Sequence, residues 1–275
     1  MLGRRADGYH EIETLMLPVS LFDTLLFRPR ESGGARLTVE GDAPADRGNT
    51  VLRAIQAFCE STGADEPNVE ILLRKRIPSG AGLGGGSSDA AATLVAMQRL
   101  LGVRLPPRKA TEAALKVGAD CPFFLLRRPA LMGGVGERPL ASLTAERMEI
   151  TVVVPPIKCS TARVYEKVDL TGPRRDAKLH LEGKRRITVG DLRRLAFNRL
   201  EAAARGLYVE MEEFAEALRD VGRFSMSGSG SAFWTVDAGI QPSIYAALGE
   251  SARVYTLKPY EAGGTAADWG KGTCG

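Results

Sequence analysis

Five glycines within seven positions, from Gly80 to Gly86, followed at once by Ser87 and Ser88, constrain this chain more than any other segment. Before them, Val69, Ile71 and Leu73 alternate as a half-buried strand does over residues 68–77. After them, Ala90, Leu94, Met97 and Leu101 recur at spacings of three and four, a helix with one apolar stripe, and Gly102 supplies a stop. A glycine loop between strand and helix lets the backbone approach a ligand closely. Its N–H groups then form an anion-binding concavity that the helix dipole reinforces. Ser87 or Ser88 is expected to cap the helix. A hinge would need neither this many glycines nor two hydroxyls directly after them, so a triphosphate is the ligand the segment suits.

Two other glycine motifs overlap this one and fail. Gly80, Gly82 and Gly85 fit G-x-G-x-x-G, but the acidic residue expected about 20 positions on is absent, because that region reads Arg104-Leu105-Pro106-Pro107-Arg108. A P-loop needs a lysine after its last glycine, and Ser87 follows Gly86.

The 275 residues exceed the usual single core, so two domains are expected, 1–145 and 146–260, with a loose tail over 261–275. A net charge of +4, spread over short clusters such as Arg74-Lys75-Arg76, reads as solvated surface and argues against nucleic acid as a partner. Cys59, Cys121, Cys159 and Cys274 are scattered with no CxxC pair, which argues against structural zinc and for reduced thiols. No apolar run is long enough for a membrane helix and no secretory h-region follows Met1. A cytoplasmic protein with no membrane partner, monomeric or weakly dimeric, is expected.

Periodicity predicts strands over 12–19, 24–27, 36–40, 149–154, 223–227, 231–236 and 253–257, and a hairpin over 130–140. It predicts helices over 49–61, 109–117, 161–168, 189–204 and 210–220. Strands and helices mix without strict alternation, so the fold class is α+β.

The run Pro78-Ser79-Gly80-Ala81-Gly82-Leu83-Gly84-Gly85-Gly86-Ser87-Ser88 resembles the phosphate loop of the GHMP kinases. Its extra glycine before the serines is similar to the branch that acts on 4-diphosphocytidyl-2-C-methyl-D-erythritol. Three further segments agree: Gly3 to Glu11, Gly118 to Phe124, and Met226 to Ala232. The resemblance implies a two-domain GHMP kinase fold, with an N-terminal domain like ribosomal protein S5 domain 2 and a ferredoxin-like C-terminal domain. It implies ATP and Mg²⁺ as cofactors and a small-molecule substrate carrying cytidine diphosphate.

By the same resemblance, Asp120 is the catalytic base, where position alone reads as a turn aspartate. His10 would bond the cytosine edge while Tyr9 and Tyr165 stack on its faces; by pattern alone Tyr165 is helix packing. Ser88 would join the Mg²⁺ shell with phosphate oxygens and water. Asn49 reads as an N-cap and also aligns near the adenine pocket. Gly228 and Gly230 would allow close approach at the phosphate or substrate region, or only a tight turn. Asp89 reads as a first-turn dipole complement and His180 as incidental.

In the GHMP kinases a further strand, bearing a catalytic lysine, precedes the segment that starts here at Gly3. No lysine occurs before Lys75. The expectation is that the DNA upstream of the Met1 codon, read in frame, encodes that strand. A nucleotide-binding pseudokinase and a GHMP kinase for another substrate, such as homoserine or mevalonate, are the alternatives.

Overall fold

The computed structural model describes residues 2–171, 177–249 and 251–261. The expected tail lies, from residue 262 onward, outside the described residues, as does Cys274. The chain opens with a small hairpin, β1 (Gly3–Arg4) and β2 (His10–Glu11), then β3 (Thr14–Met16), β4 (Thr24–Pro29) and β5 (Ala35–Glu40). Helix α1 (Thr50–Thr62) crosses over to β6 (Val69–Arg74), which runs parallel to β5 and antiparallel to β4. Val69, Ile71 and Leu73 of β6 are buried, as alternation requires. Next come α2 (Gly85–Leu100), α3 (Pro107–Val117) and α4 (Cys121–Leu126), whose apolar faces share one core with α1 and this sheet. Strands β7 (Ala130–Gly133) and β8 (Arg138–Ser142) form the expected hairpin, and β7 also pairs with β3; β9 (Thr144–Ala145) follows.

Strand β10 (Ile150–Val154) is central to a second, antiparallel sheet. All five of its residues are buried because both faces are covered. The strand is followed by α5 (Thr161–Lys167), α6 (Ala177–Leu181), β11 (Arg186–Ile187), α7 (Val189–Leu195), α8 (Arg199–Leu207) and α9 (Val209–Val221). Then come β12 (Ser225–Met226), β13 (Phe233–Thr235), α10 (Gln241–Leu248) and β14 (Arg253–Leu257), giving the sheet order β12-β13-β10-β14. One face packs on α5, α8, α9 and α10 through Val153, Val164, Ala204, Met211, Phe233 and Ile244. The other face, through Ile150, Val152 and Val154, shares a core with Ala81, Leu131 and Leu143 of the first half. The glycine loop therefore leaves the first sheet and lies against the second. No helix among the described residues is long and apolar enough to cross a membrane.

The fold is α+β, and several expectations need correction. The helix predicted over 189–204 is two helices, broken at 196–198, because Asn198 takes an extended conformation and caps α8 through Leu200 N–H. Only residues 14–16 of the strand predicted over 12–19 pair as a strand. Helix α10 escaped prediction because its eight residues bury one large side chain, Ile244, too few for a period. His180 is not incidental: its Nε2 lies 2.9 Å from the buried Asp191 carboxylate, which also meets Lys184 Nζ and closes a capping box with Thr188. Burial alone would raise the Asp191 pKa, but these partners together hold it well below the usual range.

Candidate active site

The loop emerges from β6 and is tied at both ends by buried charge. Lys75 Nζ bonds the carboxylates of Asp23 and Asp89, the latter at 2.9 Å, and all three side chains are 5% exposed or less. Asp23 Oδ1 also accepts from the N–H groups of Arg76 (2.5 Å) and Ile77 (2.9 Å). This corrects two expectations. Lys75 is not solvated surface, and Asp89 is not a dipole complement but a buried acid. Burial raises the Asp89 pKa to about 6 against the opposing pull of Lys75. Because Lys75 precedes the loop and Asp89 follows it, the triad fixes the distance the loop must span.

Between these anchors the backbone divides its polar groups by direction. The carbonyls turn inward: Gly80 O accepts from Cys159 N–H (3.4 Å), Ala81 O from Ala232 N–H (3.0 Å), and Gly82 O from Ser227 Oγ (2.8 Å). Among the described residues, none of the backbone N–H groups from Ser79 to Ser87 meets a protein acceptor. A row of unsatisfied donors opening on a helix N-terminus is the donor set an anion requires. The helix cap differs from expectation: Gly84, at φ 68°, occupies the N-cap with no side-chain bond, a left-handed conformation that neither serine would adopt cheaply. Ser88 Oγ instead donates to Gly85 O at 2.8 Å, which leaves its oxygen lone pairs for a hard cation. Burial pushes the thiol of the neighbouring Cys121 up to about 11.

Gly82 is a position in the loop that cannot take a side chain. A Cβ there would sit 2.1 Å from Ser227 O, so the loop and the turn carrying Gly228 and Gly230 are interlocked backbone to backbone. Gly230 is buried and Gly228 is exposed at the surface of that turn.

Asp120 stands at the start of α4 and makes no side-chain cap bond, so the capping role that position suggested is not the one it has. No hydrogen bond or ion pair reaches its carboxylate among the described residues. The residue remains open to solvent yet is crowded by protein on most sides, and this loss of solvent raises its pKa. Beside it, Tyr165 on α5 is pushed up to about 12 by burial and by the Asp120 charge, so it stays protonated. His10, on β2, reaches the same cluster, with its ring centroid 5.5 Å from that of Tyr165. Burial and the nearby Arg4 lower the His10 pKa, which favours a neutral imidazole with one donor and one acceptor. The structure thus brings His10, Tyr165 and Asp120 together from three distant segments. It leaves Tyr9 63% exposed, and the hairpin that carries Tyr9 is braced by Arg5 against Asp7 and Glu11.

Asn49 is 4% exposed and caps α1, accepting from Val51 N–H at 2.9 Å while its amide donates to Pro44 O at 2.6 Å. Next to the start of the loop lies a cavity of about 380 Å³ that sequence reasoning did not anticipate. Its lining includes Pro78, Ser79, Arg76, Lys158 and Arg253, cations drawn from both halves of the chain. No local pattern links Arg76 to Arg253; only the packing of β14 beside β10 does.

Residues 49–128 match the family described as the GHMP kinases N terminal domain. Over 246 residues the chain is 36% identical to the 4-diphosphocytidyl-2-C-methyl-D-erythritol kinase of Pelotomaculum thermopropionicum, covering 88% of this chain and 85% of that one. It is 41% identical over 242 residues to the protein of the same name from Thermus thermophilus, covering 86% and 82%. A crystal structure of 4-(cytidine 5'-diphospho)-2C-methyl-D-erythritol kinase superposes with a TM-score of 0.71 at 36% identity, over 94% of each chain. A homoserine kinase from Cytophaga hutchinsonii, at 22% identity and a TM-score of 0.66 over 90% of each chain, shares the fold.

Proposed function

This chain belongs to the 4-diphosphocytidyl-2-C-methyl-D-erythritol kinase family of GHMP kinases, and from that premise we propose how its own residues serve the reaction. It is an ATP-dependent phosphotransferase with an alcohol acceptor. The reaction moves the γ-phosphoryl group of ATP to the 2-hydroxyl of 4-diphosphocytidyl-2-C-methyl-D-erythritol, a step toward isoprenoid precursors outside the mevalonate route.

One observation supports this reading above the others: Gly80, Ala81 and Gly82 spend their carbonyls on the protein, while among the described residues no N–H from Ser79 to Ser87 has a protein acceptor. The loop from Pro78 to Ser88 would hold the triphosphate on its N–H groups from Ser79 to Ser87, with Asn49 beside the adenine. Ser88 would take part in the Mg²⁺ shell, where the ion's charge offsets that of the phosphates. Phosphoryl transfer asks for alignment more than covalent help, and the interlock at Gly82 supplies a fixed cradle. Asp120 has no hydrogen-bond or ion-pair partner among the described residues. It would accept the hydroxyl proton as the new P–O bond forms and the bond to the ADP leaving group breaks. His10 and Tyr165 would read the cytosine edge and face, with Tyr9 swinging in from solvent over the other face; Gly228 and Gly230 would admit the substrate's phosphates close to the backbone. A division into two domains near residue 145 fits this reading, with the substrate received between them.

The test is turnover of ATP with Mg²⁺ and each of three acceptors: 4-diphosphocytidyl-2-C-methyl-D-erythritol, homoserine and mevalonate. Phosphorylation of the first alone is expected. Equal or greater turnover of another acceptor, or ATP binding with no transfer to any, would overturn the assignment. Gly82→Ala serves as a control on the loop and should abolish ATP binding.

A further inference from the structure

Asn198 was invisible to periodicity because it lies where a helix was expected to continue. In the structure the chain breaks there, and the side chain serves two ends. Its Oδ1 accepts from Leu200 N–H at 3.0 Å, capping α8. Its Nδ2 donates to Met226 O at 2.8 Å and to Gly228 O at 2.6 Å. One turn further along α8, the Glu201 carboxylate accepts from Met226 N–H at 3.1 Å. The first turn of α8 thus grips both sides of the backbone at Met226 and the carbonyl of Gly228.

That backbone is the surface on which the glycine loop rests. Ser227 Oγ donates to Gly82 O at 2.8 Å and Ala232 N–H to Ala81 O at 3.0 Å. A Cβ on Gly228 would meet Gly82 O at 3.0 Å, and one on Gly82 would meet Ser227 O at 2.1 Å. With so little clearance, a shift of the turn becomes a shift of the loop. We propose that Asn198 is a positioning residue for phosphoryl transfer: its carboxamide holds the 226–230 turn where the turn in turn shapes the glycine loop. This rests on the reading of the loop as the ATP site.

The chemistry of the side chain separates this role from mere capping. An N-cap needs only an acceptor, which Asp and Ser provide as well as Asn does. Bridging two carbonyl oxygens as well needs two donors on the same side chain, which among the good N-cap residues only Asn carries. Asn198→Asp keeps the cap but sets a carboxylate against two carbonyl oxygens.

The experiment measures ATP affinity by calorimetry and thermal melting for the natural chain, Asn198→Asp, Ser227→Ala and the double variant. For Asn198→Asp, which keeps the cap but loses both donated bonds, a melting temperature a few degrees below that of the natural chain is expected, with ATP bound roughly tenfold more weakly. The double variant should lose less than the product of the single losses, since both side chains act through one turn. Should the aspartate variant fail to fold, Asn198→Ser, which caps but cannot span both carbonyls, carries the same expectation. Unchanged ATP affinity in a folded variant, or full additivity with Ser227→Ala, overturns the proposal. A natural chain that does not bind ATP removes the phosphate-loop reading and this inference with it.

Discussion

Asp89, at the start of α2, and Asp120, at the start of α4, are both acids whose carboxyls are pushed upward by burial. Their surroundings differ. Asp89 sits 4% exposed at the end of the loop with Lys75 Nζ at 2.9 Å, inside a triad whose other acid is Asp23. Asp120 has no partner among the described residues and keeps access to solvent. A buried acid with a cation holds structure together, because breaking the pair strands a charge. A crowded acid without one keeps its lone pairs for a proton. Burial is common to both; the partner decides what each does.

Four predictions press on that contrast. Asp120→Asn should lower kcat by roughly a hundredfold to ten-thousandfold while ATP binding and melting temperature stay as they were; unchanged turnover would remove Asp120 from the base role. Lys75→Met should act the opposite way round. It leaves Asp23 and Asp89 buried without their cation and should cost about 3–5 kcal/mol of stability, read by urea denaturation. A loss under about 1 kcal/mol would show that the triad is not an anchor.

The third prediction concerns pH. A carboxyl whose pKa is raised in the fold is protonated, and so lost as a base, at a pH where a solvated aspartate near 3.8 is still ionised. The acid limb of kcat/KM should therefore lie above that value, and a limb at or below it would contradict the crowding described for Asp120. The smallest effect is expected at a third acid. His180→Ala removes one of several partners of Asp191 and should cost about 1 kcal/mol of stability with no change in kcat, because Lys184 and Thr188 remain.

Much of this site was readable in one dimension. The loop, the strand before it and the helix after it are contiguous, and their periods and glycines are local properties of the chain. Asn49 as the α1 cap and Gly102 beyond the end of α2, at φ 64°, were legible for the same reason. What failed was also local in kind but decided at a distance. The serines after Gly86 looked like caps, yet Gly84 took that position because Phe124 leaves a Cβ there only 2.7 Å of room. Lys75, within a basic cluster, looked solvated, and nothing near it in sequence announces Asp23, 52 positions away. His180 and Asn198 looked unremarkable until Asp191 and the 226–230 turn came within hydrogen-bond reach.

By itself the sequence determined that a glycine-rich loop joins a half-buried strand to an amphipathic helix, since glycine spacing and hydrophobic period depend only on neighbours along the chain. The tertiary structure alone decided which acids are paired and which is free, that His10 and Tyr165 meet at Asp120, and that the loop is held from the second sheet. Those outcomes depend on groups tens to more than a hundred residues apart arriving within a few ångströms. Desolvation and charge pairing act on distance in space, which sequence separation does not encode.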